Sequence, residues 1–264
     1  VFTPYTAEEL SDRIALLAAV DLQDVTRVKT VLERRPDLAN TPFWAPGAGH
    51  LRGTYLARAV DSWLHDSNEQ KTVEIARLLL AAGANVNAQG GQSNVAGGTP
   101  LHCAVWYGNL PMMRLLIEHG ADIENVVRSG PPLVWATGQG TRLRDAAELL
   151  IASGASYNVL DLVYVRSERL WDELEDPNQL IEDRASGRFE TPLHVAVTRN
   201  YPKVTMKLLR AGANPDVRDS EGESVRERAV RRGPTSWTRW GSRTRKRRLA
   251  ETTHGVVATR GEAA

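Results

Sequence analysis

A single cysteine, Cys103, stands in a chain of 264 residues, so no disulfide framework can form within it. Histidine is scarce as well: six are present, and no two stand at a spacing suited to metal ligation. The glycine-rich stretch Gln89 to Gly98 is not followed by Lys-Ser or Lys-Thr, which removes a phosphate-binding loop, and no nucleophile-elbow pattern occurs. No apolar run approaches the roughly 18 residues of a membrane span, and the N-terminus lacks a charged segment followed by an apolar core. Together these absences predict a cytoplasmic protein without metal, cofactor or membrane anchor. Lysine is rare too, 5 against 28 arginines, a bias that suggests a GC-rich bacterial genome.

What is present is a repeat. Gly-Ala-Asn at 83–85, Gly-Ala-Asp at 120–122, Gly-Ala-Ser at 154–156 and Gly-Ala-Asn at 212–214 each close a leucine-rich stretch, and two of these stretches open with Thr-Pro-Leu-His. Aligning Thr99-Pro100-Leu101-His102 with Thr191-Pro192-Leu193-His194 places Gly120 on Gly212 without a gap. A fixed internal length identifies stacked supersecondary units before any propensity argument. Within the unit, threonine caps a helix and proline at the first helical position forfeits no hydrogen bond. That helix should stop near Gly108-Asn109. A second then carries Met112, Met113, Leu115, Leu116 and Ile117 to Gly120, which supplies the left-handed terminator. Neither helix can bury its apolar face alone, so each unit depends on its neighbours.

These motifs resemble the ankyrin-repeat family over most of residues 7–225. The resemblance implies an all-α fold, an ankyrin-repeat solenoid of stacked helix-turn-helix units joined by short hairpin loops. The first unit, within 10–40, reads as an N-terminal cap, with Arg35-Pro36-Asp37 replacing Gly-Ala-Asp. The second, Thr54 to Asn87, has Tyr55 where proline is usual and an insertion around Trp63 to Asn68. The third, Thr99 to Asn125, fits best; the fourth opens at Pro132 and widens its turn at Thr141 and Arg142. Gly154 and Gly212 are 58 residues apart, too far for one repeat of about 33 and too near for two. A truncated unit near 159–190 fills the interval, Asp161 to Ile181 having the apolar spacing of a short helix pair and a loop. A sixth unit, Thr191 to Val217, precedes a closing helix at Glu223 to Val230. One solenoid over 1–230 with a separate tail, 231–264, is expected, monomeric by default.

The net charge of +1 conceals an asymmetry. Residues 226–264 hold 11 Lys or Arg and 3 Asp or Glu, which leaves 22 against 29, or −7, for residues 1–225. The mildly acidic solenoid favours a basic protein partner. The tail cluster Arg243, Arg245, Lys246, Arg247 and Arg248 admits nucleic-acid contact, although a solvated tail explains it equally.

Candidate chemistry lies where the chain departs from its own repeat. The resemblance gives His102 and His194 a structural hydrogen bond to hairpin backbone, and Cys103 and Trp135 fall at core positions. His119 suits a helix C-terminus. His50 and His65 remain. His50 ends an exposed-looking aromatic segment with Phe43, Trp44 and Arg52, and His65 shares an insertion with Trp63. In family geometry the ends of the first helices line the concave face, which places Asp61, Trp106, Tyr107 and Gln139 there. Two adjacent large aromatics at positions with no apolar requirement are typical anchors. On this reading, replacing Trp106 and Tyr107 by alanine abolishes binding and leaves stability unchanged. The favoured function is a protein-protein interaction module with an adaptor, regulator or immunity-type role. The alternative is an unusual enzyme or small-molecule binder pairing His50 or His65 with Asp61 as acid and base.

Overall fold

The computed structural model describes residues 6–44, 52–61, 69–90, 98–127, 130–138, 143–183 and 187–232, apart from the side chains of Trp44, Arg52 and Arg232. The chain divides into two compact units, Val1–Tyr157 and Asn158–Ala264.

Unit 1 is a stack of four helix pairs: α1 Ala7–Asp21 with α2 Val25–Arg34, α3 Tyr55–Asp61 with α4 Glu69–Ala81, α5 Pro100–Tyr107 with α6 Leu110–Glu118, and α7 Pro132–Gly138 with α8 Arg144–Ala152. First helices pack on first helices, α1 on α3 on α5 on α7, and second on second, α2 on α4 on α6 on α8. Leu16, Leu56, Leu79, Leu101, Met112, Leu116, Leu133 and Leu150 are fully buried between these layers. Each buried leucine contributes roughly 1.5–3 kcal/mol, shared between its own helix pair and the neighbouring one.

The repeat chemistry follows the sequence closely. Thr99 accepts from the His102 amide, while its own amide donates to His102 Nδ1 at 3.3 Å. With Nδ1 an acceptor, Nε2 carries the proton and donates to the Gly130 carbonyl at 3.2 Å. Gly108 at φ 68° and Gly120 at φ 81° end the two helices in left-handed backbone, which only glycine adopts without cost. Tyr55 takes the proline position because its ring is fully buried and its hydroxyl donates to the Arg13 carbonyl at 3.2 Å, tying α3 to α1.

Unit 2 contains α9 Val159–Val165, a one-turn α10 Leu170–Glu173, and a hairpin of β3 Ile181–Asp183 and β4 Arg188–Glu190. It continues with α11 Pro192–Thr198, α12 Pro202–Arg210 and α13 Val225–Arg232. The interval expected to hold a truncated unit is occupied by α9, α10 and the hairpin, and the loop expected over Pro177 to Glu182 ends in strand β3. α11 packs between α9 and the closing helix α13. His194 repeats the His102 arrangement, with Nε2 donating to the Glu223 carbonyl at 3.1 Å.

An amide ladder joins successive hairpins. Asn85 N–H donates to Asn40 Oδ1 at 2.6 Å, Asp122 N–H to Asn87 Oδ1 at 2.8 Å, and Asn214 N–H to Asn178 Oδ1 at 2.6 Å. At the step to Ser156 the acceptor is Glu124 Oε1, also at 2.6 Å. Each link satisfies a backbone donor of the next turn.

One expectation is corrected here. Phe43 is not an exposed aromatic: it is 5 % exposed, and its ring lies 5.4 Å from that of Tyr55. The short ribbon of β1, Phe43–Trp44, and β2, Arg52–Gly53, pairs Phe43 with Gly53. A Cβ on Gly53 would stand 2.7 Å from the Phe43 ring, so the absent side chain makes the seat for it.

Candidate functional site

The ends of the first helices of unit 1 bring Asp61, Trp106 and Tyr107 together with a residue first read as core packing, Trp135. Trp106 and Trp135 are both partly exposed and meet edge to face, with ring centroids 5.9 Å apart at 79°. Trp135 meets His102 on another side at 5.0 Å and 66°. Its indole Nε1 is buried and has no acceptor among the described residues. Such edge contacts add about 0.5–1.5 kcal/mol each and hold the two indoles in a fixed relation.

Tyr107 behaves differently from its neighbour. It is 8 % exposed and its hydroxyl points at Asp61 Oδ1, 3.5 Å away across one repeat interval. Asp61 is 6 % exposed. The expectation of two exposed aromatics side by side is thus corrected to one: Trp106 turns outward and Tyr107 inward. The two side chains leave the helix end in different directions: Trp106 meets Trp135 of the following repeat, and Tyr107 meets Asp61 of the preceding one. One repeat earlier, Asp21 is engaged by Arg58 Nε at 2.6 Å.

His102 and His194 are both fully buried, and burial depresses the pKa of each ring below its usual range. Both are structural, as the resemblance implied. His119 uses Nδ1 on the Leu115 carbonyl at 2.8 Å, within the last turn of α6. Cys103 is fully buried. His50, Trp63, His65 and Gln139 lie outside the described residues, as do the side chains of Trp44 and Arg52. Among the described residues no group of three His, Cys, Asp or Glu could hold a metal ion, and no helix is long and apolar enough to cross a membrane.

Trp135 is the member that sequence reasoning left out. Its position follows a buried one in the repeat, and the alignment alone does not reveal that α7 turns its indole toward Trp106.

Helix pairs of this kind, capped by Thr-Pro-Leu-His and joined through hairpin amides, define a repeat protein. The family profile for ankyrin repeats in three copies matches residues 64–161, and the single ankyrin repeat profile matches 189–220. An ankyrin repeat protein of fowlpox virus is 30% identical over 162 residues, covering 54% of this chain and 84% of its own length. The chain belongs to the ankyrin repeat family, and ankyrin repeats are protein-protein interaction modules.

Further relatives are larger. Mouse palmitoyltransferase ZDHHC13 is 29% identical over 178 residues, 64% of this chain but 28% of that protein. The chicken nuclear factor NF-kappa-B p105 subunit is 38% identical over 123 residues, 46% of this chain and 11% of that protein. This chain therefore spans a small part of each. Among solved structures, the human ASB11 ankyrin repeat domain superposes with a TM-score of 0.56 at 23% identity, covering 84% of this chain and 99% of that domain. That likeness speaks to the fold.

Proposed function

We propose that this chain holds a protein partner on the first-helix ends of unit 1, with the Trp106–Trp135 pair as the anchor. The observation that carries the reading is their mutual geometry. Two indoles, one near the end of α5 and one in the middle of α7, each partly in water, are locked edge to face at 5.9 Å. Large rigid aromatics contribute contact area with little loss of conformational freedom, and they dominate binding energy at interfaces. Asp61, itself buried, receives the Tyr107 hydroxyl and so ties down the end of α5 that carries Trp106. Adaptor, regulator and immunity-type roles are all compatible with such a surface, as is a cytoplasmic setting in a bacterium with a GC-rich genome.

The test compares the full chain with Trp106→Ala as bait in lysate of the source organism, with captured proteins quantified by mass spectrometry. A partner held by the native chain and reduced at least about tenfold by the substitution, at unchanged melting temperature, supports the anchor. Identical capture by both baits would remove Trp106 from the interface.

A further inference from the structure

Two tyrosines and two arginines in unit 2 are exchanged between neighbouring helices. Asn158 caps α9 and Thr191 caps α11, and eight residues beyond each cap stands an arginine, Arg166 and Arg199. Tyr107 has the same offset from Thr99 in α5, so all three occupy the repeat position at the end of the first helix. The Arg199 guanidinium lies over the Tyr164 ring, 4.7 Å from its centroid, and the Arg166 guanidinium over Tyr201 at 5.3 Å. Tyr164 belongs to α9 and Tyr201 follows α11, so each helix end carries the ring beneath the other's cation.

Hydrogen bonds fix the exchange. The Tyr201 hydroxyl donates to the Tyr164 carbonyl at 3.1 Å, and the Tyr164 hydroxyl donates to Asp183 Oδ2 at 3.0 Å. Burial and the Asp183 charge push the Tyr164 pKa up, so the phenol remains a neutral donor. Burial also raises that of Tyr201, while Arg199 and Arg166 both oppose the rise, which places the two cations around one ring.

The same arginines share the lack of an ion pair, among the described residues, with Arg169 and Arg210 of this unit, and differ from those two in lying on a tyrosine ring. Arg188, Arg218, Arg226, Arg228 and Arg231 of this unit are each in an ion pair. Among the described residues Arg166 and Arg199 are in none, and Arg199 Nε is buried without an acceptor. A helix C-terminus does favour a cation, but a lysine would serve that purpose equally. A guanidinium laid on a ring has lost much of its freedom and still presents donors at its edge, an arrangement matched to a planar carboxylate.

We propose that Arg166 and Arg199 form a docking site for an acidic segment of a protein partner, each guanidinium receiving one Asp or Glu carboxylate. The inference rests on the reading of the chain as a protein-binding module and adds the chemistry of what unit 2 selects. It reverses, locally, the basic partner that the overall charge of residues 1–225 favours. A nucleic-acid strand is the weaker match, because two fixed charges neutralise too few phosphates to hold a polyanion.

The experiment uses the full chain and a fluorescein-labelled oligoglutamate peptide, with oligoglutamine as control, read by fluorescence anisotropy at about 0.15 M salt. All chains first carry glutamine at Arg243, Arg245, Lys246, Arg247 and Arg248, so that the tail cannot bind the probe. In that background R166Q/R199Q should weaken oligoglutamate binding at least about tenfold, and R166K/R199K should weaken it nearly as much because the flat, stacked fork is lost. R166Q alone, at an exposed side chain, should weaken it measurably with an unchanged melting temperature. Binding that survives R166Q/R199Q, or that vanishes with the tail substitutions alone, would overturn the proposal. So would displacement of the probe by a single-stranded oligonucleotide as readily as by unlabelled oligoglutamate. W106A should not affect the probe. Loss of partner capture in W106A with no oligoglutamate binding by the native sites would leave the module reading intact and sink this one.

Discussion

Arg228 on the closing helix meets Glu190 at the end of the β3-β4 hairpin at 2.8 Å, with both side chains less than a tenth exposed. The same guanidinium also engages Asp219 and, at 3.0 Å, Glu223. It donates to the Thr198 hydroxyl at 3.1 Å as well. One cation thus binds α13 to the hairpin, to α11 and to the turn before it. α13 packs on α11, and a buried charge cluster fixes it in place.

Arg228→Ala is therefore expected to destabilise unit 2 by about 3–5 kcal/mol, since it strands buried carboxylates without a counter-ion. Arg218 and Arg226 make ion pairs nearby, but all four side chains involved are more than half exposed. Their alanine variants should stay within about 1 kcal/mol of the native chain. Urea unfolding followed by circular dichroism separates the two classes. Equal losses at Arg218 and Arg228 would mean that the buried cluster contributes no more than surface pairs.

The two buried histidines predict a specific pH response. Each pKa is depressed in the folded state from an ordinary value of 6.5, so as pH falls the unfolded chain takes up protons first. Stability is complete above about 6.5 and declines as pH drops from there toward the depressed values. The limit is about 1.4 kcal/mol per pH unit for each ring. Melting temperatures between about pH 7.5 and 5.5 should fall for the native chain. His102→Gln and His194→Gln should each start lower and show a shallower decline. A slope unchanged in both variants would assign the acid response to other groups.

Tyr107 provides a test that separates core from surface. Because its ring is buried, Tyr107→Ala should cost about 3–5 kcal/mol, whereas Tyr107→Phe keeps the buried ring and removes the hydroxyl that reaches Asp61, a smaller cost of about 1 kcal/mol. Replacing Trp106 and Tyr107 together would confound binding with folding, so the stability-neutral outcome expected for that pair from the sequence no longer holds. The single substitution Trp106→Ala is the informative one. Thermal melts of the three single variants decide the matter, and a Tyr107→Ala melt close to native would put that ring back on the surface.

How far the sequence reached depends on whether a feature is repeated. Thr99, His102, Gly108 and Gly120 recur in register, so their caps, turns and buried ring contacts could be read directly from spacing. The Asn158 start of α9 was harder, because its cap and the Asp161 that completes it lack the Pro-Leu-His pattern. Phe43, Tyr107 and Trp135 were misjudged for a common reason: exposure of a large aromatic depends on which neighbour it meets, and Gly53, Asp61 and Trp106 lie in other repeats. The stacked arginines of unit 2 escaped notice because the cation-ring pairs cross from α9 to α11. No local pattern records that exchange.

The hairpin ladder supplies the last prediction. Asn178 uses both ends of its amide on the following repeat: Oδ1 receives the Asn214 N–H at 2.6 Å, and Nδ2 donates to the Gly212 carbonyl at 3.4 Å. The bonds are exposed, so water can replace them, and the expected cost of Asn178→Ala is about 0.5–1.5 kcal/mol. Asn178→Asp keeps the short acceptor bond and loses only the long donor bond, so it should retain most of that stability. Hydrogen exchange gives the sharper readout, because the Asn214 amide should exchange faster in Asn178→Ala but remain protected in Asn178→Asp. Equal exchange in the two variants would mean that the ladder follows from repeat stacking and does not hold it.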